Sequence, residues 1–173
     1  MKIFISGKPG VGKTTLLKNV SDVLKKSGVE FGGFITLEIR EHGTRKGFEV
    51  IDIITGKREV FASIDFNESR VGKYGVNVKR FEEVAIPAVE RGIKSGFLLI
   101  DEIGRMEMKS QWFNEKIRRI LNSKIYLIAT LHRNYVKSFK NYGEVYIITL
   151  DNRKFLFNKI IKRLKENFSS TTL

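Results

Sequence analysis

The chain has 173 residues, 42% of them hydrophobic and 29% charged, a balance that excludes a disordered chain and predicts a single soluble globular domain over 1–173. With no cysteine, it can form no disulfide, no thiolate metal site and no cysteine nucleophile. Its 32 basic residues against 19 acidic ones give a net charge of +13, which suits phosphorylated small molecules and nucleic acid alike.

The chain opens on a short apolar run that predicts a strand over Lys2–Ser6, followed by "GKPGVGKTT" at Gly7–Thr15. The spacing Gly7, Gly12, Lys13, Thr14 is that of a phosphate-binding loop. Glycines let successive backbone N–H groups turn inward on phosphate oxygens with no Cβ in the way. The next helix, predicted from Lys13 to about Lys26 and stopped by Gly28, adds its positive N-terminal end. Lys13 reaches the β- and γ-phosphates, and Thr14 offers a hydroxyl to Mg²⁺. The residues expected around the nucleotide here are Gly7, Lys8, Pro9, Gly10, Val11, Gly12, Lys13, Thr14 and Thr15. His42 and His132 are far apart in sequence, so the metal expected is Mg²⁺ arriving with the nucleotide, not a histidine-bound zinc.

Period-two stretches in "FGGFITLEIREHGTRKGFEVIDIITGKREVFA" predict antiparallel strands, separated by "EHGTRKG" and "TGK" and inserted after the first helix. Asn77 is placed to cap a helix, "VKRFEEVAIPAVERGIKSG", which Pro87 is expected to bend or split. The run "FLLID" lacks alternation, as a central parallel strand covered on both faces does. A helix near Gln111–Leu121, a buried strand "IYLIAT", a short strand "VYIIT" and a terminal helix follow. On that last helix Phe157, Ile160, Ile161, Leu164 and Phe168 keep helical spacing, as a stripe packed on the sheet would. Strands alternating with helices give an α/β class: three layers, a mostly parallel sheet and helices on both faces. Ligands in such sheets bind beyond the carboxyl ends of the strands.

One such end carries "FLLIDEIGR", Phe97–Arg105. Asp101 has the position of a Walker B aspartate, completing with Thr14 the Mg²⁺ shell. Glu102 can orient a water and accept its proton, a role that hydrolysis needs and a nucleotide kinase, which brings its own acceptor, does not. Charge developing on the γ-phosphoryl group calls for an arginine. Arg45, on a hairpin tip in "GTRKG", and Arg105, just past the acidic pair, are the candidates. No run of Asn-Lys-x-Asp type is present to read guanine, so little base selectivity is expected.

The stretches "GKPGVGKTTL", "GGFITLEIREHGTRKGFEVIDI", "RVGKYGVNVKRFEEVAIPAV", "LLIDEIGRMEM" and "TLDNRKFL" together resemble the small nucleoside-triphosphatase family of thermophiles and humans, whose human member is described as cancer-related. The resemblance runs from Met1 to the terminal helix. It implies a RecA-like P-loop fold, in which another strand separates the phosphate-loop strand from the Walker B strand. It also implies Mg²⁺-dependent cleavage of the γ-phosphate of ATP, GTP, CTP, UTP and TTP, and weaker cleavage of diphosphates. Carried over onto this chain, it adds Leu98, Leu99, Ile100, Asp101, Glu102, Ile103, Gly104 and Arg105 to the nucleotide site. Thr130 would serve as a γ-phosphate sensor or as a structural hydroxyl. The family's glycine-threonine pair reads Ala129-Thr130 here. Asn152 and Arg153 would stand at the base or cap the last helix.

The leading expectation is a nucleoside-triphosphate phosphohydrolase. A nucleotide or nucleoside kinase and a nucleic-acid-associated ATPase remain as alternatives. Lys and Arg are spread along the chain and no RNA-binding aromatic pattern appears, so nucleic acid is the less favoured partner. No apolar run approaches a membrane span and "MKIFIS" is too short for a secretory signal. A cytoplasmic monomer with no membrane partner is expected.

Overall fold

The computed structural model describes residues 1–167, and Phe168 lies outside them. Strand β1 (Lys2–Ser6) enters the phosphate loop, and α1 (Lys13–Lys26) leaves it, both with the expected limits. Then come β2 (Gly32–Glu41), β3 (Thr44–Asp52), β4 (Arg58–Ser63) and the short strands β5 (Arg70–Val71) and β6 (Tyr74–Val76). Helix α2 (Val78–Ser95) precedes β7 (Phe97–Ile103). After a 3₁₀ turn at Glu107–Lys109 come α3 (Gln111–Leu121), β8 (Tyr126–Leu131), α4 (Val136–Phe139), β9 (Glu144–Ile147) and α5 (Arg153–Asn167).

The nine strands of the described residues join one sheet in the order β5-β6-β4-β3-β2-β7-β8-β1-β9. The half from β2 to β9 is parallel, and the half from β2 to β5 is antiparallel. Strand β8 separates the phosphate-loop strand β1 from the acidic strand β7, the order that the resemblance implies. The antiparallel region, inserted after α1 as expected, extends the same sheet. Residues Gly32–Ile35 of β2 pair with β7 while the same strand pairs along its length with β3, so the hairpins widen the nucleotide sheet.

Alternation along the buried strands makes the three layers. Ile3 and Ile5 of β1 pack with Leu16, Leu17 and Val20 of α1 and Ile160 and Leu164 of α5. Phe4 points the other way, into a core with Phe81 and Val84 of α2 and Phe113 and Ile117 of α3. Phe97 and Leu99 of β7 share the first core, and Leu98 and Ile100 the second. On α5, Ile160 and Leu164 are buried, and Phe157 and Ile161 pack partly buried against them, so the expected stripe does cover the sheet.

Two expectations change. Pro87 does not split α2, which runs unbroken with Asn77 accepting from the Arg80 N–H at 3.0 Å. Proline's missing N–H frees the carbonyl four residues back. That carbonyl, of Glu83, accepts from Lys57 Nζ at 3.1 Å. The first hairpin is also tighter than its seven-residue separator. Its turn is His42-Gly43, with φ of 47° and 77°, the pair of positive angles that a two-residue hairpin with right-handed strand twist requires. Arg45 therefore stands within β3, across from Arg40, and not on the tip.

Candidate functional site

The loop between β1 and α1 is shaped by its glycines. A Cβ on Gly7 would lie 2.6 Å from the Ile148 carbonyl oxygen. Gly12 takes φ of 94° immediately before α1, which only glycine adopts freely. No side chain caps α1, and no acidic residue occupies its first turn. Its leading N–H groups and positive end are thus left for an anion. Lys13 Nζ folds over the loop, donating to the Gly7 and Lys8 carbonyls at 3.4 Å each.

The parallel pairing of β1, β8 and β7 brings three strand ends to this loop. Thr14 Oγ1 donates to Asp101 Oδ2 at 2.6 Å, and the Thr130 hydroxyl donates to Asp101 Oδ1. Both oxygens of a buried carboxylate are thereby fixed by hydroxyls from two other elements. Burial pushes the Asp101 carboxyl up, against the hydrogen bonds from Thr130 and Thr14 and the charge of Lys13. The peptide joining Asp101 to Glu102 is cis. Glu102 is pushed up to about 7, first by burial and then by Asp101, with Lys13 pulling the other way.

A third acidic residue, Glu107, was not singled out from sequence. The 3₁₀ turn after β7 buries it to 4% exposure. Burial, and then the charge of Glu102, hold its carboxyl well above the ordinary range. A Cβ on Gly104 would stand 2.6 Å from Glu107 Oε2 and 2.8 Å from Glu102 Oε1. Any side chain there must push the carboxylates apart. Gly104→Ala is expected to slow turnover by about tenfold or more through displacement of Glu102, with its melting temperature close to wild type; steady-state kinetics and a thermal melt check this.

These groups open onto one cleft of about 730 Å³. Gly7, Pro9, Gly10, Gly12, Lys13, Thr14, Thr15, Asp101, Glu102 and Arg105 line it, and so does Arg45, whose guanidinium is paired with Glu38. Leu98, Leu99, Ile100 and Ile103 are not side-chain contacts of the cleft. They are fully buried in the core, where they set the height of Asp101. Val11 packs beneath the loop, and Thr130 is fully buried on Asp101.

Asn152 is spent within its own loop, accepting from the Thr149 N–H and donating to the Ile147 carbonyl, each at 2.9 Å. Its carbonyl accepts the Leu156 N–H at 2.9 Å, opening α5. Arg153 instead lies on the phosphate loop, its Nε 3.4 Å from where a Cβ on Gly12 would stand. The expected pair is therefore divided: Asn152 shapes its own loop, and Arg153 lies against Gly12. Sequence reasoning also missed Arg40, Phe48, Tyr74 and Arg133 in the cleft wall, because only the sheet order brings them there.

The donors at Thr14 and Asp101 are hard oxygens, the kind Mg²⁺ takes, set beside a cluster of carboxyls, with Lys13 and Lys18 acting on Asp101. The residues fit that ion. Among the described residues no group of three or more His, Cys, Asp or Glu is gathered to hold a metal. Among them, too, no helix is long and apolar enough to cross a membrane.

Comparison with known proteins places this geometry in context. A family model described as NTPase matches residues 2–161. A nucleoside-triphosphatase THEP1 of Methanocaldococcus jannaschii is 42% identical over 95% of this chain and 97% of its own length. A THEP1 of Pyrococcus abyssi is 40% identical over 96% and 93%. The crystal structure of THEP1 from the hyperthermophile Aquifex aeolicus superposes with a TM-score of 0.80 at 35% identity, covering 95% of this chain and 99% of that one. The solution structure of a human cancer-related nucleoside triphosphatase gives 0.78 at 31% identity, covering 97% and 99%.

Proposed function

The chain belongs to this family of nucleoside-triphosphatases, and from that premise we propose that it cleaves the γ-phosphate of nucleoside triphosphates with Mg²⁺ in the cleft above β1, β8 and β7. The observation that carries the reading is the 2.6 Å bond from Thr14 to Asp101, which joins the loop hydroxyl to the strand-end carboxylate with Lys13 and Glu102 beside them. When bound, Mg²⁺ would supply charge neutralisation at the phosphates, with Thr14 and Asp101 holding it. The loop N–H groups and the α1 terminus bind the phosphates, and Lys13 offsets charge on the β- and γ-oxygens. Glu102 orients a water and takes its proton. Thr130 holds the unused oxygen of Asp101, which fixes the carboxylate's rotation.

Base selectivity is expected to be low. Arg153 offers the base side a planar cation that stacks on any ring, while Asn152 has its amide engaged elsewhere. ATP, GTP, CTP, UTP and TTP should be hydrolysed within about an order of magnitude of one another, since strong discrimination needs polar groups left unpaired by the wrong base. Phosphate release from each, with Mg²⁺ and with a chelator, tests this. A dominant preference for one base, or full activity in chelator, contradicts it.

Arg45 and Arg105 share the cleft with Lys13 and are proposed to meet charge that develops on the γ-phosphoryl group. Arg105 is exposed, whereas Arg45 must leave Glu38 to do so. Replacing each by alanine and measuring single-turnover rates should show one variant slowed by about tenfold or more. Wild-type rates in both remove arginine from the proposal.

A further inference from the structure

The cleft is larger than the chemistry assigned to it. With the γ end of a triphosphate at Lys13 and Asp101, as proposed above, the next strands of the sheet beyond β7 are β2 and β3. Beyond that end the same cleft continues over the antiparallel half, walled by Leu37, Phe48, Val71 and Tyr74. Phe48 and Tyr74 pack edge to face at 5.2 Å, and the Arg45 guanidinium lies over the Phe48 ring at 5.5 Å. Arg40 and Arg45 both pair with the single carboxylate of Glu38, which leaves one positive charge uncompensated. The Arg45 Nε is buried with no hydrogen-bond partner, and a buried donor without an acceptor is costly. Water as the acceptor needs none of this.

We propose that the far half of the cleft binds a nucleoside monophosphate, its ring against the Phe48–Tyr74 wall and its phosphate on Arg40 and Arg45, as the acceptor of the γ-phosphoryl group. Aromatic faces hold a base without reading it, and arginine forks suit a phosphate. This rests on the triphosphate lying in the phosphate loop as set out above, and adds a second substrate to that site. An oxygen of the monophosphate dianion forms a bond to the γ-phosphorus as the bond from that phosphorus to the β-bridging oxygen breaks. The donor leaves as a diphosphate and the acceptor becomes one, with total charge conserved and no proton transferred. Filling the chamber also excludes the water that Glu102 otherwise activates.

The test supplies γ-labelled ATP, Mg²⁺ and CMP to the protein and separates all labelled products. A parallel titration measures CMP binding to protein saturated with ADP and Mg²⁺. Label is expected in CDP at the expense of free phosphate, rising with CMP. Glu102→Gln should lose phosphate release yet still label CDP. Val71→Glu, which puts an anion in the chamber, should weaken CMP binding by about tenfold or more, in a protein shown by its melt to be folded. Label confined to free phosphate, with no binding of CMP, AMP, GMP or UMP, overturns the inference and leaves hydrolysis standing. So does label that enters an acceptor only when an oligonucleotide end replaces the mononucleotide. Label in CDP with no phosphate release in its absence supports the inference and overturns hydrolysis as the basal reaction.

Discussion

Lys13→Ala is expected to lower turnover by at least about 10²–10³-fold, the effect of removing a fixed charge aimed at developing negative charge, and to weaken nucleotide binding as well. Lys13 Nζ already lies over the loop, on the Gly7 and Lys8 carbonyls, and must only shift from these to the phosphates. Its removal frees one exposed and one part-buried carbonyl at the cleft surface, which water can satisfy, so the fold should persist. Lys13 also counters the charge on Asp101 and Glu102, so both carboxyls should become harder to ionise in the variant. Equilibrium titration with a fluorescent nucleotide, beside steady-state phosphate release and a thermal melt, separates these effects.

Glu102→Gln is expected to reduce phosphate release by roughly 10²–10⁴-fold, the usual contribution of a general base, while binding survives on the loop, Lys13, Thr14 and Asp101. The side chain keeps its size and loses only its ability to take a proton. A pH signature accompanies it. The base works when ionised, and burial with Asp101 beside it holds Glu102 at about 7. Activity therefore rises as pH increases through that value and falls below it. Since kcat/KM reports the free enzyme, its acid limb should lie near 7 in the wild type and be absent from the residual activity of the variant. Loss of binding with unchanged turnover per bound nucleotide would instead make Glu102 structural.

The phosphate loop was legible because its chemistry is local: glycine angles, a helix end, a lysine and a hydroxyl lie within nine residues, and strand and helix limits followed. The buried runs "FLLID" and "IYLIAT" likewise announced central strands by lacking alternation. Long-range features were harder to read. Pro87 reads as a helix break because Lys57, whose side chain caps the freed Glu83 carbonyl, is 26 residues from Glu83 in sequence. The β5–β6 hairpin spans seven residues and has no alternation long enough to mark it. Glu107 gave no signal, since an acidic residue in "GRMEM" reads as solvated until a 3₁₀ turn buries it against Glu102. The seven-residue separator "EHGTRKG" reads as a wide turn with Arg45 at its tip. Two positive φ angles at His42 and Gly43 closed it in two residues instead and moved the arginine into the cleft wall.

The fate of the γ-phosphate decides whether this cleft hydrolyses nucleoside triphosphates. Wild-type protein and Lys13→Ala, both shown folded by circular dichroism, are given γ-labelled ATP with Mg²⁺, and each labelled product is identified over time. The predicted result is free phosphate and ADP in equal amounts from the wild type, and almost none from the variant. Release of phosphate by Lys13→Ala at the wild-type rate, or pyrophosphate in place of phosphate from the wild type, would contradict the account.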